Sequence, residues 1–233
     1  MIRTFITAII TFLSFTVFSQ AKAKKDSIPT APVEAFVVNA KEQPRKGEMV
    51  VFFGEKRNKE YTGRTDKNGK LRMRLPAGDD YRVMMKTFSD SVSFGVISIP
   101  SLDEGEFFSE PFSVKMTYEP ARNFTLDNVE FDVNKATLRA ASYKELNELV
   151  EYLQWKEEQK IEVAGHTDND GKAADNLKLS QQRAEAVRNY LLKKGIKPNR
   201  VVAKGYGASQ PVADNSTAEG KQKNRRTEVR LQD

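Results

Sequence analysis

The hydrophobic rhythm of the chain changes near Pro120, and that change constrains its fold more than any other feature. From Val33 to about Tyr118 the apolar residues stand two apart. Leu71, Met73 and Leu75 alternate with Arg72 and Arg74, and Tyr81, Val83 and Met85 repeat the same spacing. Such alternation buries one face of a strand and wets the other. Turn signals separate the runs: Asp66-Lys67-Asn68-Gly69, Pro76-Ala77-Gly78-Asp79 and Asp103-Glu104-Gly105. Short strands at this spacing predict a small all-β sandwich over residues 33–118. The span is too short for an eight-stranded membrane barrel, whose strands need about 9–11 residues each.

After Pro120 strands and helices alternate. Phe124 to Phe131 reads as a strand, and Leu146, Leu149, Val150 and Leu153 mark one face of a helix. Lys160 to Ala164 reads as a second strand. A second helix is expected from Ser180 to Lys194, burying Ala184, Val187 and Leu191 and closing at Gly195. Val201 to Tyr206 is a third strand. A polar segment, Ala213 to Asn224, precedes a last strand from Arg226 to Leu231. Residues 119–233 therefore predict an α/β sandwich of βαβαβ type with a final strand, making the whole chain α+β.

The N-terminus has the layout of a secretory leader. Arg3 supplies a positive start, Phe5 to Phe18 an apolar stretch, and small residues precede a basic run at Lys22, Lys24 and Lys25. The apolar stretch is shorter than the roughly 20 residues of a spanning helix. A signal peptide over 1–23, then a polar linker over 24–32, is expected. Cysteine is absent, so stability is expected from packed cores rather than disulfides. The absence also leaves no lipid-bearing residue after the leader, so the place in the envelope should follow from what the chain binds. Lys and Arg total 38 against 32 Asp and Glu, a net charge of +6. That mild, scattered excess gives no support to a nucleic-acid partner.

Thr65-Asp66-Lys67-Asn68-Gly69-Lys70-Leu71 and Leu75-Pro76-Ala77-Gly78-Asp79-Asp80-Tyr81 resemble carboxypeptidase regulatory-like (transthyretin-like) sandwich domains. Asp66 and Asn68 read as turn residues; a calcium loop needs more oxygen donors in register. In the second half, Phe131-Asp132-Val133-Asn134-Lys135-Ala136, Gly165-His166-Thr167-Asp168, Asn176-Leu177-Lys178-Leu179-Ser180-Gln181-Gln182-Arg183-Ala184, Gly205-Tyr206-Gly207 and Asn224-Arg225-Arg226 resemble the OmpA-like peptidoglycan-binding family.

That resemblance implies a periplasmic protein, associated with the cell wall or outer membrane, that binds peptidoglycan through the diaminopimelate of the stem peptide. It implies that Asp168 takes the ligand ammonium and Arg183 its carboxylate, with support from Asn134, Asn176 and Arg225. The chemistry is coherent without the family. The free end of diaminopimelate carries an ammonium and a carboxylate on one carbon, so its site needs one carboxylate beside one guanidinium. An arginine fork donates two parallel hydrogen bonds, which lysine does not. The start of the second helix is expected to add free N–H groups near Arg183.

His166 is the only histidine, so neither a catalytic triad nor a histidine metal cluster can be assembled around it. No enzymatic activity, cofactor or metal is expected, and His166 reads as a structural residue at a strand end. The run Lys221 to Arg226 reads as a solvated face apart from Arg225. The N-terminal sandwich is expected to hold an outer-membrane or envelope protein.

Overall fold

The computed structural model describes residues 28–88, 91–132 and 135–232, together with the backbone of residues 7–10 and 17–19. The leader expected over 1–23 lies outside the described residues except for those two backbone segments. The chain divides into two compact units, Met1–Pro120 and Ala121–Asp233. None of the helices among the described residues is long and apolar enough to cross a membrane.

The first unit consists of strands. They are β1 (Thr7–Ile10), β2 (Val17–Ser19), β3 (Thr30–Val38), β4 (Met49–Gly54), β5 (Lys59–Arg64), β6 (Lys70–Pro76), β7 (Asp79–Lys86), β8 (Ser91–Ile99), β9 (Glu106–Phe108) and β10 (Phe112–Thr117). One sheet has the order β1-β10-β3-β6 and another β5-β4-β7-β8, while β2 pairs with β9. Residues from both four-stranded sheets share one apolar core: Val33, Val37, Leu75, Val114 and Met116 from the first, Phe52, Tyr81, Val83, Met85 and Ile97 from the second. The period-two spacing of Tyr81, Val83 and Met85 is thus a buried row of β7. Strand β3 begins inside the expected linker. Pro32 faces Arg74 of β6, and pairing with β10 starts only at Val33, so the missing proline N–H disrupts no ladder on that side.

Two turns show why their residues are needed. In the turn before β6, the Asp66 carboxylate accepts from the backbone N–H of Asn68 and Lys70, and Gly69 takes φ 70°. At the start of β7, the buried Asp79 carboxylate accepts from the N–H of Lys56, Arg57 and Asp80 and from the Arg57 guanidinium. Burial pushes its pKa up, but these donors outweigh burial and hold it below the usual carboxylate value.

The folded pKa of Asp79 therefore lies below the unfolded one. Its contribution is complete above the unfolded value of about 3.9 and is lost as pH falls through the lower folded value. In acid titrations of stability, Asp79→Asn is expected to flatten the loss below about pH 4 relative to wild type. Parallel acid curves would remove Asp79 from this role.

The second unit contains β11 (Asn123–Thr125), α1 (Ser142–Trp155), β12 (Lys160–His166), α2 (Ala173–Lys193), a 3-10 turn (Pro198–Arg200), β13 (Val201–Gly207), α3 (Ala218–Asn224) and β14 (Thr227–Gln232). The sheet order is β11-β14-β12-β13, with β12 and β13 parallel and the other pairs antiparallel. Leu146, Leu149 and Leu153 of α1, Ala184, Val187 and Leu191 of α2, and Ile161, Val163 and Val229 of the sheet are buried. The mixed architecture is the α+β class that the two rhythms predict.

Three elements differ from expectation. The strand expected over 124–131 stops at Thr125, because the Glu145 carboxylate accepts from the N–H of Asp127 and Asn128 and turns the chain there. Helix α2 begins at Ala173, seven residues before the expected start. The polar segment from Ala213 contains α3, capped by Thr217, whose hydroxyl accepts from the Gly220 N–H.

Candidate functional site

The site is built where β12 ends. Its last residue, His166, is buried and stacked on Tyr206 with ring centroids 5.3 Å apart and 8° between planes. The His166 Nε2 lies 3.6 Å from Glu228 Oε2 on neighbouring β14. Glu228 also accepts from Arg226 Nε at 2.7 Å and Arg230 Nη2 at 2.9 Å. His166 and then these two arginines hold the Glu228 carboxyl well below the usual range, against the opposing effect of burial. His166 is thus a structural residue beneath the site.

Beyond His166, the Thr167 N–H donates to Gly207 O at 3.0 Å, tying the chain to β13. Asp168 follows and is 7% exposed. Its Oδ1 accepts from the Asp170 N–H at 3.1 Å, the Asx turn that fixes its side chain. Asn176, in the first turn of α2, donates from Nδ2 to the backbone oxygens of Asp168 and Asp170 at 3.2 and 2.9 Å. Its role is to brace the loop that carries the carboxylate.

Asp168, Asn176, Arg183 and Arg225 line one cavity of about 1000 Å³, with Phe131, Arg139, Leu179, Gln222, Arg226 and Glu228 among the other walls. Arg183 Nε donates to Lys135 O at 3.2 Å, and its Cζ lies 5.1 Å from the centroid of the Phe131 ring. Those contacts hold the stem of the fork, and no hydrogen bond from its Nη groups is made among the described residues. Burial lowers the Arg183 pKa, the nearby Arg225 charge lowers it further, and Asp168 opposes both.

Arg225, at the end of α3, donates from Nη1 to Asp168 Oδ2 at 2.5 Å and from Nη2 to Gln222 Oε1. The structure therefore brings Asp168, Arg183, Asn176 and Arg225 together. Asn134 lies outside the described residues.

Two expectations need correction. Arg183 lies ten residues into α2, so the free N–H groups of the helix start are about 15 Å from it along the axis and do not serve its ligand. The basic run is not wholly a solvated face, because the Arg226 side chain is only 8% exposed and is held by Glu228. Phe131 and Gln222 escaped sequence reading as individual site residues. Phe131 reads only as the end of the expected strand over 124–131 and the first residue of the Phe131 to Ala136 motif, and nothing in the sequence marks Gln222.

Residues 130–225 match the model of the OmpA family, and the C-terminal unit carries an OmpA family domain. Outer membrane porin F of Pseudomonas fluorescens is 43% identical over 105 residues, covering 45% of this chain and 32% of that protein. Peptidoglycan-binding protein ArfA of Mycobacterium bovis is 36% identical over 101 residues, covering 43% of this chain and 31% of that protein. The crystal structure of the peptidoglycan-associated lipoprotein from Burkholderia pseudomallei aligns at 29% identity with a TM-score of 0.43, covering 48% of this chain and 91% of that one. The chain thus matches about a third of the length of these two curated relatives.

Proposed function

We propose that the protein is a non-covalent tether that grips peptidoglycan through the zwitterionic end of diaminopimelate in the stem peptide. The ligand ammonium goes to Asp168 and its carboxylate to Arg183, with Arg225 beside them and Asn176 bracing the Asp168 loop. The observation that carries this reading is the convergence of the nearly buried Asp168 carboxylate with the Arg183 and Arg225 guanidiniums on one open cavity. The relative whose printed name states peptidoglycan binding supports the same reading.

No covalent step is needed for this task. The protein is a binding module, exported by the leader over 1–23 to the periplasm and retained there by the wall. A single small group binds modestly, but many sites along a polymer retain a protein through effective concentration. The N-terminal unit holds an outer-membrane or other envelope protein, which the tether fixes to the wall.

Calorimetric titration of the full chain with the tripeptide L-Ala-γ-D-Glu-meso-diaminopimelate tests the pocket. Saturable binding by wild type is expected, weakened about tenfold or more by Asp168→Ala. Equal binding by both proteins, or none by either, would contradict the assignment.

A further inference from the structure

An open sheet edge presents unpaired N–H and C=O groups, and proteins blunt such edges with charge, proline or a bulge. Three edges in the first unit are blunted in this way. β6 carries Lys70, Arg72 and Arg74 and ends at Pro76, and β5 carries Lys59, Glu60 and Arg64. β8 bulges at Phe94, which stands between the partners of Val83 and Met84. The fourth edge belongs to β10, Phe112-Ser113-Val114-Lys115-Met116-Thr117, once β1 is set aside. Its one charge, Lys115, is engaged by Glu42 at 2.5 Å, and its pairing with β3 runs without a bulge. Val114 and Met116 of this strand belong to the core.

The chain's own leader covers that edge. β1 pairs antiparallel with β10, Ala8 standing opposite Met116 and Ile10 opposite Val114. It also approaches β8 of the other sheet, so it runs along the seam between the two. If the leader over 1–23 is removed on export, β1 goes with it. The new N-terminus is too short to take its place. Pro29 O accepts from the Ala77 N–H at 2.8 Å, which ties the chain beside the end of β6, on the far side of β3 from β10. Only Lys24 to Ile28 precede that tie. The β1 position lies three strand spacings away, roughly 14 Å. Five residues extend at most about 17 Å, which leaves one for pairing.

We propose that loss of the leader opens the β10 edge as the docking site of the N-terminal unit, and that an extended segment of an envelope protein occupies it. The segment adds antiparallel to β10 in the place of β1. Main-chain hydrogen bonds supply affinity, and small or β-branched apolar residues opposite Val114 and Met116 supply the fit. This inference rests on the export and partner readings above and adds to them the surface and the chemistry of the partner. Until the leader is cut away it holds the position that the partner takes, so the precursor is closed to docking.

The mature chain, expressed with its leader and purified from the periplasm of the host, is titrated with a synthetic peptide of residues 5–12 carrying added lysines at both ends. Saturable binding is expected from the mature chain and none from the uncleaved precursor in the same buffer. Antiparallel pairing turns alternate N–H groups toward the neighbouring strand. Two further peptides, N-methylated at Thr7 and Ile9 or at Ala8 and Ile10, should therefore differ. One should weaken by about tenfold or more, the other by less than about threefold. No binding by a mature chain that begins after residue 23, equal loss in both methylated peptides, or a mature chain that is dimeric and closed to the peptide would overturn the docking site. N-terminal sequencing separates these from a failed premise: an exported chain that retains residues 1–23 would overturn the leader reading, and the opening of the edge with it.

Discussion

Arg183→Ala is expected to weaken binding of the diaminopimelate tripeptide by about tenfold or more while leaving the fold intact. The magnitude follows from the chemistry lost. A charge-assisted hydrogen bond contributes about 1.5–3 kcal/mol, and a fork makes two in parallel. The fold should survive because, among the described residues, the side chain makes one hydrogen bond, from Nε to Lys135 O, and lies over the Phe131 ring. Arg183→Lys should recover little, since an ammonium reproduces neither the stacked plane nor the fork. Calorimetry with both variants checks this, with circular dichroism as the control. An affinity loss under twofold in Arg183→Ala would remove this residue from carboxylate recognition.

Gly205→Ala should have the largest effect on stability. A Cβ at Gly205 would lie 2.3 Å from the Gln181 N and 2.7 Å from its Cα, and one at Gly165 would lie 2.3 Å from Ser180 O. These obstacles are mainly helix backbone, which cannot rotate aside as a side-chain tip can. Helix α2 therefore rests on β12 and β13 at the closest approach that two glycines permit. Overpacking of this kind costs about 1–3 kcal/mol, and occasionally more. The denaturant midpoint of Gly205→Ala should fall accordingly. Because α2 carries Arg183 and β12 leads into Asp168, a helix pushed off the sheet also separates the two charges. Reduced peptide affinity should accompany the lost stability. An unchanged midpoint would show that the helix yields without cost.

The two rhythms made much of this fold legible because each reports burial directly. Tyr81, Val83 and Met85 fill the core of the first unit, and Leu146, Leu149 and Leu153 that of the second. The start of α2 was less legible. Residues 173–179 are mostly exposed, with Asp175, Asn176 and Lys178 set among alanines and leucines, so no buried apolar stripe announces the helix. Helix α3 is short and polar, and its only local signal was Thr217 as a cap. The strand after Pro120 was overextended because its arrest depends on Glu145, seventeen and eighteen residues away from its partners.

Within the site, Asp168, Arg183, Asn176 and Arg225 stood out because charged and amide residues recur at family spacing. Their partnerships did not, since they depend on three-dimensional closure. Asn176 grips the loop rather than facing a ligand alone, and Arg225 occupies Asp168. Arg226 resembled its neighbour in sequence, yet β14 turns it inward to Glu228.

The most direct test of the central claim is co-sedimentation with purified, diaminopimelate-containing sacculi, comparing wild type with Asp168→Ala and Arg183→Ala. The account predicts that wild type pellets with the wall and both variants remain in solution. Wild type and variants distributing alike between pellet and solution would contradict it.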